Sequence, residues 1–257
     1  SRADFSMEAF MPERHVDFKG GEKAESETDM YGVPSIGWTA PVSDGSDMYF
    51  GGGMYGTSGM GVDYGVSDAG MMPDPSATTN RPPMVNASWD GYSNIQLWEM
   101  APTLAWSMND QLKLGASLNI SYQSVAFKQR MWETGDPSNA AMNFDLSRSA
   151  SAFGYGLSFG ALYELNDQWQ LGASYKSKQS FGDLEYQLRT GDIAGMQSRQ
   201  GELLMSKNGT YKLGLDLPQQ LALGGAWMPT DDLTVSADIK WINWADTMDK
   251  LAVARDF

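Results

Sequence analysis

The stretch LKLGASLNISYQ, from Leu112 to Gln123, alternates between two kinds of side chain at every step. The even-numbered positions carry Leu, Leu, Ala, Leu, Ile and Tyr, while the odd-numbered positions carry Lys, Gly, Ser, Asn, Ser and Gln. Successive side chains of a β-strand point to opposite faces. The stretch therefore predicts a strand of about eleven residues with one apolar face and one polar or small face.

The same alternation recurs along most of the chain. It is clear at 98–108, 155–165, 169–175, 221–227 and 233–241. Together these segments predict an all-β protein of about nine strands. The predicted strands are 4–18, 30–43, 48–64, 93–109, 112–128, 153–166, 169–188, 211–228 and 233–250.

The predicted connections alternate between short and long. The short ones are rich in turn residues and cover Ser43–Asp47, Asn109–Gln111, Asn166–Gln168 and Pro229–Asp232. The long ones cover Gly20–Asp29, Gly65–Tyr92, Gln129–Ala152 and Arg189–Thr210. Short turns on one rim and long loops on the other are typical of a transmembrane antiparallel up-and-down β-barrel, with its apolar strand faces toward lipid.

A soluble β-sandwich or lipocalin-like barrel also alternates polar and apolar residues. Two observations favour the membrane barrel. The predicted strands are longer than the usual five or six residues, as a tilted membrane-crossing strand requires. Aromatic residues also lie near strand ends, where interfacial girdles need them. They are Trp98, Trp106, Tyr163, Trp169, Trp227 and Trp241.

Composition excludes several classes of site. The chain has no cysteine and a single histidine, His15, which removes thiolate chemistry and paired-histidine metal sites. A net charge of -14 argues against a nucleic-acid partner. No run of apolar residues is long enough for a membrane-spanning helix. We expect neither a cofactor nor an enzymatic activity.

Several short motifs, in order, resemble one known family. They are GVPSIGW at 32–38, FGGG at 50–53, APTLAW at 101–106, LGASLN at 114–119, LGASYKS at 171–177, LP at 217–218, LGGAW at 223–227 and ADIKW at 237–241. In this order they are similar to strands of the FadL/TodX family of outer-membrane transporters for long-chain fatty acids and hydrocarbons. The resemblance covers nearly the whole chain.

The resemblance implies a barrel of fourteen strands that is plugged by an N-terminal hatch. We expect residues 1–257 to form a single partial barrel domain, with the hatch and the C-terminal strands missing. The implied location is the outer membrane of a Gram-negative bacterium. The implied partners are a long-chain fatty acid or other hydrophobic small molecule and outer-membrane lipid, and we expect a monomer.

Glycines inside the third predicted strand form the first candidate site. In the family this strand is kinked inward and opens a gap in the wall, so the resemblance implies lateral release of substrate at Gly51, Gly52, Gly53 and Gly56. Glycine in a strand permits bulges and kinks. The alternative is that these glycines only ease barrel curvature or packing against a plug.

Apolar residues of the long connections form the second candidate site. Methionine adapts to irregular apolar shapes, so these residues predict a capture groove for a hydrophobic substrate. The alternative is ordinary packing over the barrel mouth. The residues are Met71, Met72, Met84, Trp89, Trp132, Phe144, Leu203 and Leu204.

Lysines on the polar strand faces form the third candidate site. A lysine inside the barrel is suited to binding a substrate carboxylate, and Lys176 and Lys178 are the first candidates, followed by Lys113, Lys212 and Lys240. The alternative is pairing with acidic neighbours and with the plug. Taken together, these sites predict passive uptake with loop capture and lateral release. The alternatives are a structural or adhesive barrel without transport and a barrel lipase.

Overall fold

The computed structural model describes residues 1–197, 203–248 and 253–255. Its elements are β1 (Arg2–Phe10), β2 (His15–Asp17), β3 (Lys23–Glu25), β4 (Tyr31–Pro41), β5 (Met48–Pro73), β6 (Met84–Met100), β7 (Thr103–Ser107), β8 (Leu112–Glu133), β9 (Asp136–Asn166), β10 (Trp169–Lys176), β11 (Ser180–Phe181), β12 (Leu184–Leu188), β13 (Ile193–Gln197), β14 (Leu203–Met205), β15 (Gly209–Leu213), β16 (Gln220–Thr230), β17 (Leu233–Ile242), α1 (Ala245–Met248) and β18 (Val253–Arg255). No helix among these residues is long and apolar enough to cross a membrane.

One antiparallel sheet follows the chain order. Its path is β1-β4-β5-β6-β8-β9-β10-β16-β17, which confirms the prediction of about nine antiparallel strands. Tight turns join β4 to β5, β7 to β8, β9 to β10 and β16 to β17 at one rim, where the sequence predicted them. We call this the lower rim and the opposite one the upper rim. The edge strands β1 and β17 expose nearly every residue, on both faces.

The burial pattern of the sheet is inverted relative to a soluble protein. Large apolar side chains are exposed on one face, while Asn119, Ser121 and Gln123 on the opposite face of β8 are each about 2% exposed or less. An apolar outside and a polar inside are what a wall between lipid and an aqueous interior requires. The exposed side chains include Leu118, Phe153, Tyr155, Leu157, Phe159, Tyr163, Leu165, Trp169, Leu171, Leu221, Leu223 and Trp227.

The apolar belt has the height of a membrane. On β8 it runs from Leu112 to Tyr122, ten steps along the strand. At about 3.4 Å per residue and a tilt of roughly 40°, this distance covers about 26 Å of membrane. Above Tyr122 the outer face becomes polar, and the Ser124 and Ser149 hydroxyls lie 2.7 Å apart there. At the lower rim, Trp169 and Trp227 stack with ring centroids 5.8 Å apart.

Two predicted loops are wrong. Most of Gly65–Tyr92 is strand, because β5 and β6 continue upward and leave only residues 74–83 between them. Most of Gln129–Ala152 is also strand, because β8 and β9 meet at Thr134 and Gly135. Above the belt the exposed side chains are a mixture of polar residues and apolar ones such as Val66 and Met71, so the strict alternation disappears although the backbone ladder continues.

Several predicted strands are interrupted. The first, 4–18, is interrupted after Phe10, where β1 ends, and its residues 15–17 form the separate strand β2, which pairs with β3. Segment 93–109 breaks at Ala101 and Pro102, since proline has no N–H to donate. Segment 169–188 divides into β10, β11 and β12, and 211–228 divides around Pro218. The ninth predicted strand ends early at Ile242, and its last residues, 249–250, lie outside the described residues.

A second layer lies above the belt on the inner face of β8 and β9. The three strands β12, β15 and β18 form a small sheet. Leu184, Tyr186 and Leu188 of this sheet pack against Val125 and Leu146 of the wall in one buried cluster. The Tyr186 hydroxyl donates to the Val125 carbonyl oxygen at 2.9 Å, and burial raises the pKa of this phenol to about 12. The upper interior of the sheet is therefore filled by the protein itself.

Candidate functional site

The ladder between β4 and β5 ends within the wall. It pairs residues from Pro41 with Tyr49 up to Ser35 with Tyr55. Beyond that point, residues 31–34 of β4 pair with β1, and β5 pairs with β6. The strands β4 and β5, which are paired near the lower rim, therefore separate as they run toward the upper rim.

Side chains close the upper end of this gap. The Tyr31 hydroxyl donates to the carbonyl oxygen of Gly61 at 2.7 Å, which joins the start of β4 to β5. Arg14 donates to the same carbonyl through Nη1, and through Nη2 to the Thr28 carbonyl at 2.6 Å and to the Tyr31 hydroxyl at 2.8 Å. We call the gap bounded by residues 31–34 and 56–61 the wall opening.

A cavity of about 470 Å³ occupies the wall opening. Its lining is mainly apolar, with a polar fringe that includes Arg14, Ser58 and Gln96. A cavity of this size is within the range of small-molecule sites. The apolar side chains that line it are Phe10, Met30, Val33, Met60, Ile95 and Trp98.

The predicted glycines divide between the paired wall and the opening. Gly51, Gly52 and Gly53 lie in the paired part of β5, opposite Thr39, Trp38 and Gly37 of β4. A Cβ on Gly51 would clash with the Trp38 carbonyl oxygen, so glycine is needed there for strand packing. Gly56 instead lines the cavity, beside a β-bulge.

Two glycine positions at the opening, Gly56 and Gly59, have room for a Cβ. A Cβ on Gly56 would meet Val33 Cγ1 at 3.4 Å, which is ordinary van der Waals contact. A Cβ on Gly59 would have its nearest neighbour, the Ile95 carbonyl oxygen, at 3.8 Å. Both positions line the cavity, so a larger side chain at either one would take up part of its space.

The opening lies at the top of the apolar belt. Gly56 is opposite Trp98 of β6, and Trp98 is opposite Tyr122, the last apolar outward residue of β8. Directly above, Gln96 is exposed and donates to Asn94 at 3.2 Å. Aromatic rings followed by polar side chains mark the level of the membrane interface. The cavity therefore adjoins the boundary between hydrocarbon and lipid headgroups.

Lys176 is bound to a buried carboxylate in this structure. Its Nζ lies 2.6 Å from Glu99 Oε2 and 2.9 Å from Oε1, and Glu99 is only 1% exposed. Tyr55 and Asn119 donate to Oε1 at 2.9 and 2.7 Å, and Gln179 donates to Oε2 at 2.7 Å. Glu99 is therefore fully hydrogen-bonded on the inner face of the wall, and we call this group the Glu99 network.

Three other candidate lysines also have acidic partners. Lys178 is 2.7 Å from Asp216, Lys113 is 2.6 Å from Glu164, and Lys212 is 3.7 Å from Glu185. Lys240 is exposed on β17, opposite Ala222 of β16. The structure thus does not gather these lysines into one site, and it pairs four of the five with carboxylates.

The candidate capture residues divide between buried and exposed positions. Met72, Trp89 and Trp132 are each 6% exposed, and Trp89 packs edge-on against Phe18 with centroids 5.1 Å apart. Phe144 packs on Phe127 at 5.6 Å. Three others are exposed, namely Met71, Met84 and Leu204. Leu203 lies in β14, in a register pair with Gln197.

Hydrogen bonds link two connections at the upper rim. Asn139 donates to the Asp74 carboxylate at 3.0 Å and to Glu133 at 2.7 Å. The bonds from Asn139 and Ser76 hold the pKa of Asp74 below its ordinary value. No group of three or more metal-ligating side chains occurs within 1–197, 203–248 and 253–255.

Two residues of the opening could not be predicted from the sequence. Arg14 lies between strands, outside any alternating segment, and Tyr31 is one aromatic residue among many. Their roles follow from the path of β4 away from β5, which only the structure shows. Glu99 was visible as a charge on a polar strand face, but its partner Lys176 is far away in sequence.

Residues 2–255 match the family described as outer membrane protein transport protein (OMPP1/FadL/TodX). The chain belongs to this family. As a FadL/TodX family member it is located in the outer membrane of a Gram-negative bacterium. The resemblance found in the sequence motifs is confirmed over almost the full length.

Solved structures of the FadL/TodX family share the fold. The toluene transporter TodX of Pseudomonas putida aligns with a TM-score of 0.65 and 22% identity, over 97% of this chain and 62% of that one. The toluene transporter TbuX of Ralstonia pickettii gives 0.60 and 18%, over 97% and 62%. A FadL homologue of Pseudomonas aeruginosa gives 0.59 and 16%, over 98% and 61%.

The chain spans somewhat less than two thirds of the length of these structures. A search of curated proteins found no significant match. At these identities the solved structures establish the barrel fold, and the family match establishes the class of protein.

Proposed function

We propose that this chain forms part of a passive outer-membrane channel for hydrophobic compounds, such as long-chain fatty acids, and that substrates leave the barrel sideways through the wall opening. The observation that supports the proposal is the cavity of about 470 Å³ where β4 and β5 separate. It lies at the level of the membrane interface and is bordered by apolar side chains. The family to which the chain belongs consists of outer-membrane transport proteins.

Lateral release is physically favourable for an apolar molecule. Each methylene group that avoids water contributes about 0.8 kcal/mol, so a direct path from the barrel into lipid is strongly preferred over a path through the periplasm. The upper interior of the sheet is filled by the cluster of β12 and β15 against the wall. A sideways path at the wall opening avoids that obstruction and needs no energy source.

The alternatives differ in what they require of the opening. A structural or adhesive barrel has no use for a cavity in its wall. A barrel lipase requires a nucleophile beside a base, yet His15 is exposed and its Nε2 lies 3.6 Å from Asp17 Oδ2. We therefore propose a channel without catalytic residues. Hydrolysis of phospholipid by the purified protein would support the lipase instead.

Filling the opening tests the proposal. We expect the double substitution Gly56→Val and Gly59→Val to reduce uptake of labelled oleate and toluene to the level of cells without the gene. A Cβ is tolerated at both positions, so assembly should be normal. The measurement is uptake by cells that produce the full-length protein, with heat-modified gel mobility as the assay of barrel assembly.

Gly172→Val is the matched control. Gly172 lies in a membrane strand away from the opening, and a Cβ there would have its nearest neighbour, Leu162 Cδ1, at 3.9 Å. We expect uptake to remain normal in this variant. Normal uptake in an assembled Gly56→Val and Gly59→Val variant would contradict lateral release through this opening.

A further inference from the structure

Arg14 is a cation at the edge of the wall opening. No carboxylate lies within ion-pair distance of it in the described ranges 1–197, 203–248 and 253–255. The guanidinium lies over the Tyr31 ring, 5.0 Å from its centroid, and lines the cavity. The lysines inside the sheet differ, since four of the five candidates have carboxylate partners.

The donors of Arg14 are not all used. A guanidinium has five N–H donors. Three bind the oxygens of Gly61, Thr28 and Tyr31. Nε is buried and has no partner. A buried donor without an acceptor costs free energy, which an arriving acceptor would recover.

The surroundings suit an amphipathic molecule. Phe10, Met30, Val33 and Met60 form an apolar lining beside the guanidinium. Trp98, which is paired with Gly56, lines the cavity at the top of the apolar belt. At this level the headgroup of an amphiphile stays in the membrane interface while its chain enters hydrocarbon. Arginine binds a carboxylate through charge-assisted hydrogen bonds, often two at once.

We propose that Arg14 binds the carboxylate of an amphipathic substrate in the wall opening, with the alkyl chain in the adjoining cavity. Arg14 thereby sets a preference for carboxylates over neutral hydrocarbons of the same length. This inference rests on the proposed function, because it assumes that substrates occupy the wall opening. It assigns the headgroup to Arg14 and not to the paired lysines of the interior.

A matched pair of ligands isolates the effect of the carboxylate charge on binding. Oleate and methyl oleate have the same chain, and only oleate is an anion. Binding to the purified full-length protein in non-ionic detergent is measured by quenching of tryptophan fluorescence with chain-brominated forms of both ligands. Trp98 lines the cavity, and Trp98→Phe shows which part of the quenching arises there.

The substitution Arg14→Gln should weaken binding of oleate about tenfold, the equivalent of one charge-assisted hydrogen bond, and leave methyl oleate unchanged. Arg14→Lys should retain most of the preference for oleate over methyl oleate. Tyr31→Phe is the structural control, because it removes the bond to Gly61 but keeps the Arg14 charge. We expect its preference for oleate to equal that of the unmodified protein.

An equal loss of both ligands in Arg14→Gln, or no loss of either, would overturn the proposal. Transport is judged separately. If the Arg14-dependent preference is observed but cells take up neither oleate nor toluene, the proposed channel function fails and the binding site stands. If Gly56→Val blocks uptake but Arg14→Gln keeps the preference, the channel stands and the binding site fails.

Discussion

Two of the interruptions in the sheet are filled differently. Between β10 and β11 the strand bulges at Ser177–Gln179, and the Glu99 network occupies the inner side with a carboxylate held by Lys176 and Gln179. Between β4 and β5 the ladder ends at Ser35 and Tyr55, and glycines leave a cavity there. One interruption is sealed by hydrogen bonds and the other is kept open.

The comparison teaches that a gap in a barrel wall depends on side chains as well as on backbone pairing. Gln179 is fully buried, so the first interruption has no space for a substrate. At the second, Arg14 and Tyr31 bind the Gly61 carbonyl only at the upper end of the gap. A bulge in a strand is therefore not sufficient to identify a lateral path.

The largest effect on stability is expected in the sealed interruption. Glu99→Gln leaves the partly buried Lys176 ammonium without its counter-charge, which should lower the free energy of unfolding by about 3 kcal/mol. The measurement is urea unfolding in detergent, followed by tryptophan fluorescence. The double variant Glu99→Gln with Lys176→Met should recover part of the loss, because it leaves no unpaired charge.

Lys113→Met is the matched control for that prediction. It breaks an ion pair with Glu164 whose side chains are 47% and 39% exposed. An exposed pair contributes less than about 1 kcal/mol. A similar loss in Lys113→Met and Glu99→Gln would show that the Glu99 network has no special role in sealing the wall.

A smaller effect separates the two groups of glycines. Gly51→Ala places a Cβ against the Trp38 carbonyl in the paired wall, and this overpacking should cost about 2 kcal/mol. Gly59→Ala at the opening has space and should leave the free energy of unfolding unchanged. Both are compared by the same urea unfolding assay. Equal stability of the two variants would contradict the distinction between paired wall and opening.

The fold could be predicted from the sequence where contact with lipid imposes an alternation of apolar and polar residues. Within the belt, residues 112–122 must alternate because one face contacts hydrocarbon, so strand and orientation were both predicted correctly. Above the belt the constraint is absent. Residues 129–152 form a hairpin extension through backbone pairing with little alternation, and they were therefore predicted as a loop.

The candidate site could be predicted only in part, for a similar reason. Glycine in the third strand indicated an unusual backbone, and Gly56 does line the opening. The sequence did not show that Gly51 is needed for strand packing, since both roles require glycine. The Arg14 contact with Gly61 joins residues of separate segments, and no local pattern encodes such a pair.

The central claim, that substrates pass between β4 and β5, is tested most directly by closing the opening reversibly. The chain has no cysteine, and Val33 lies next to the position a Gly56 Cβ would occupy, so Val33→Cys with Gly56→Cys can form a disulfide across the gap. Ile36→Cys with Met54→Cys, already paired in the ladder and outside the Glu99 network, is the control. We predict that oxidation stops uptake only in the first variant and that a reductant restores it. Full uptake by the oxidised Val33→Cys and Gly56→Cys protein would contradict the account.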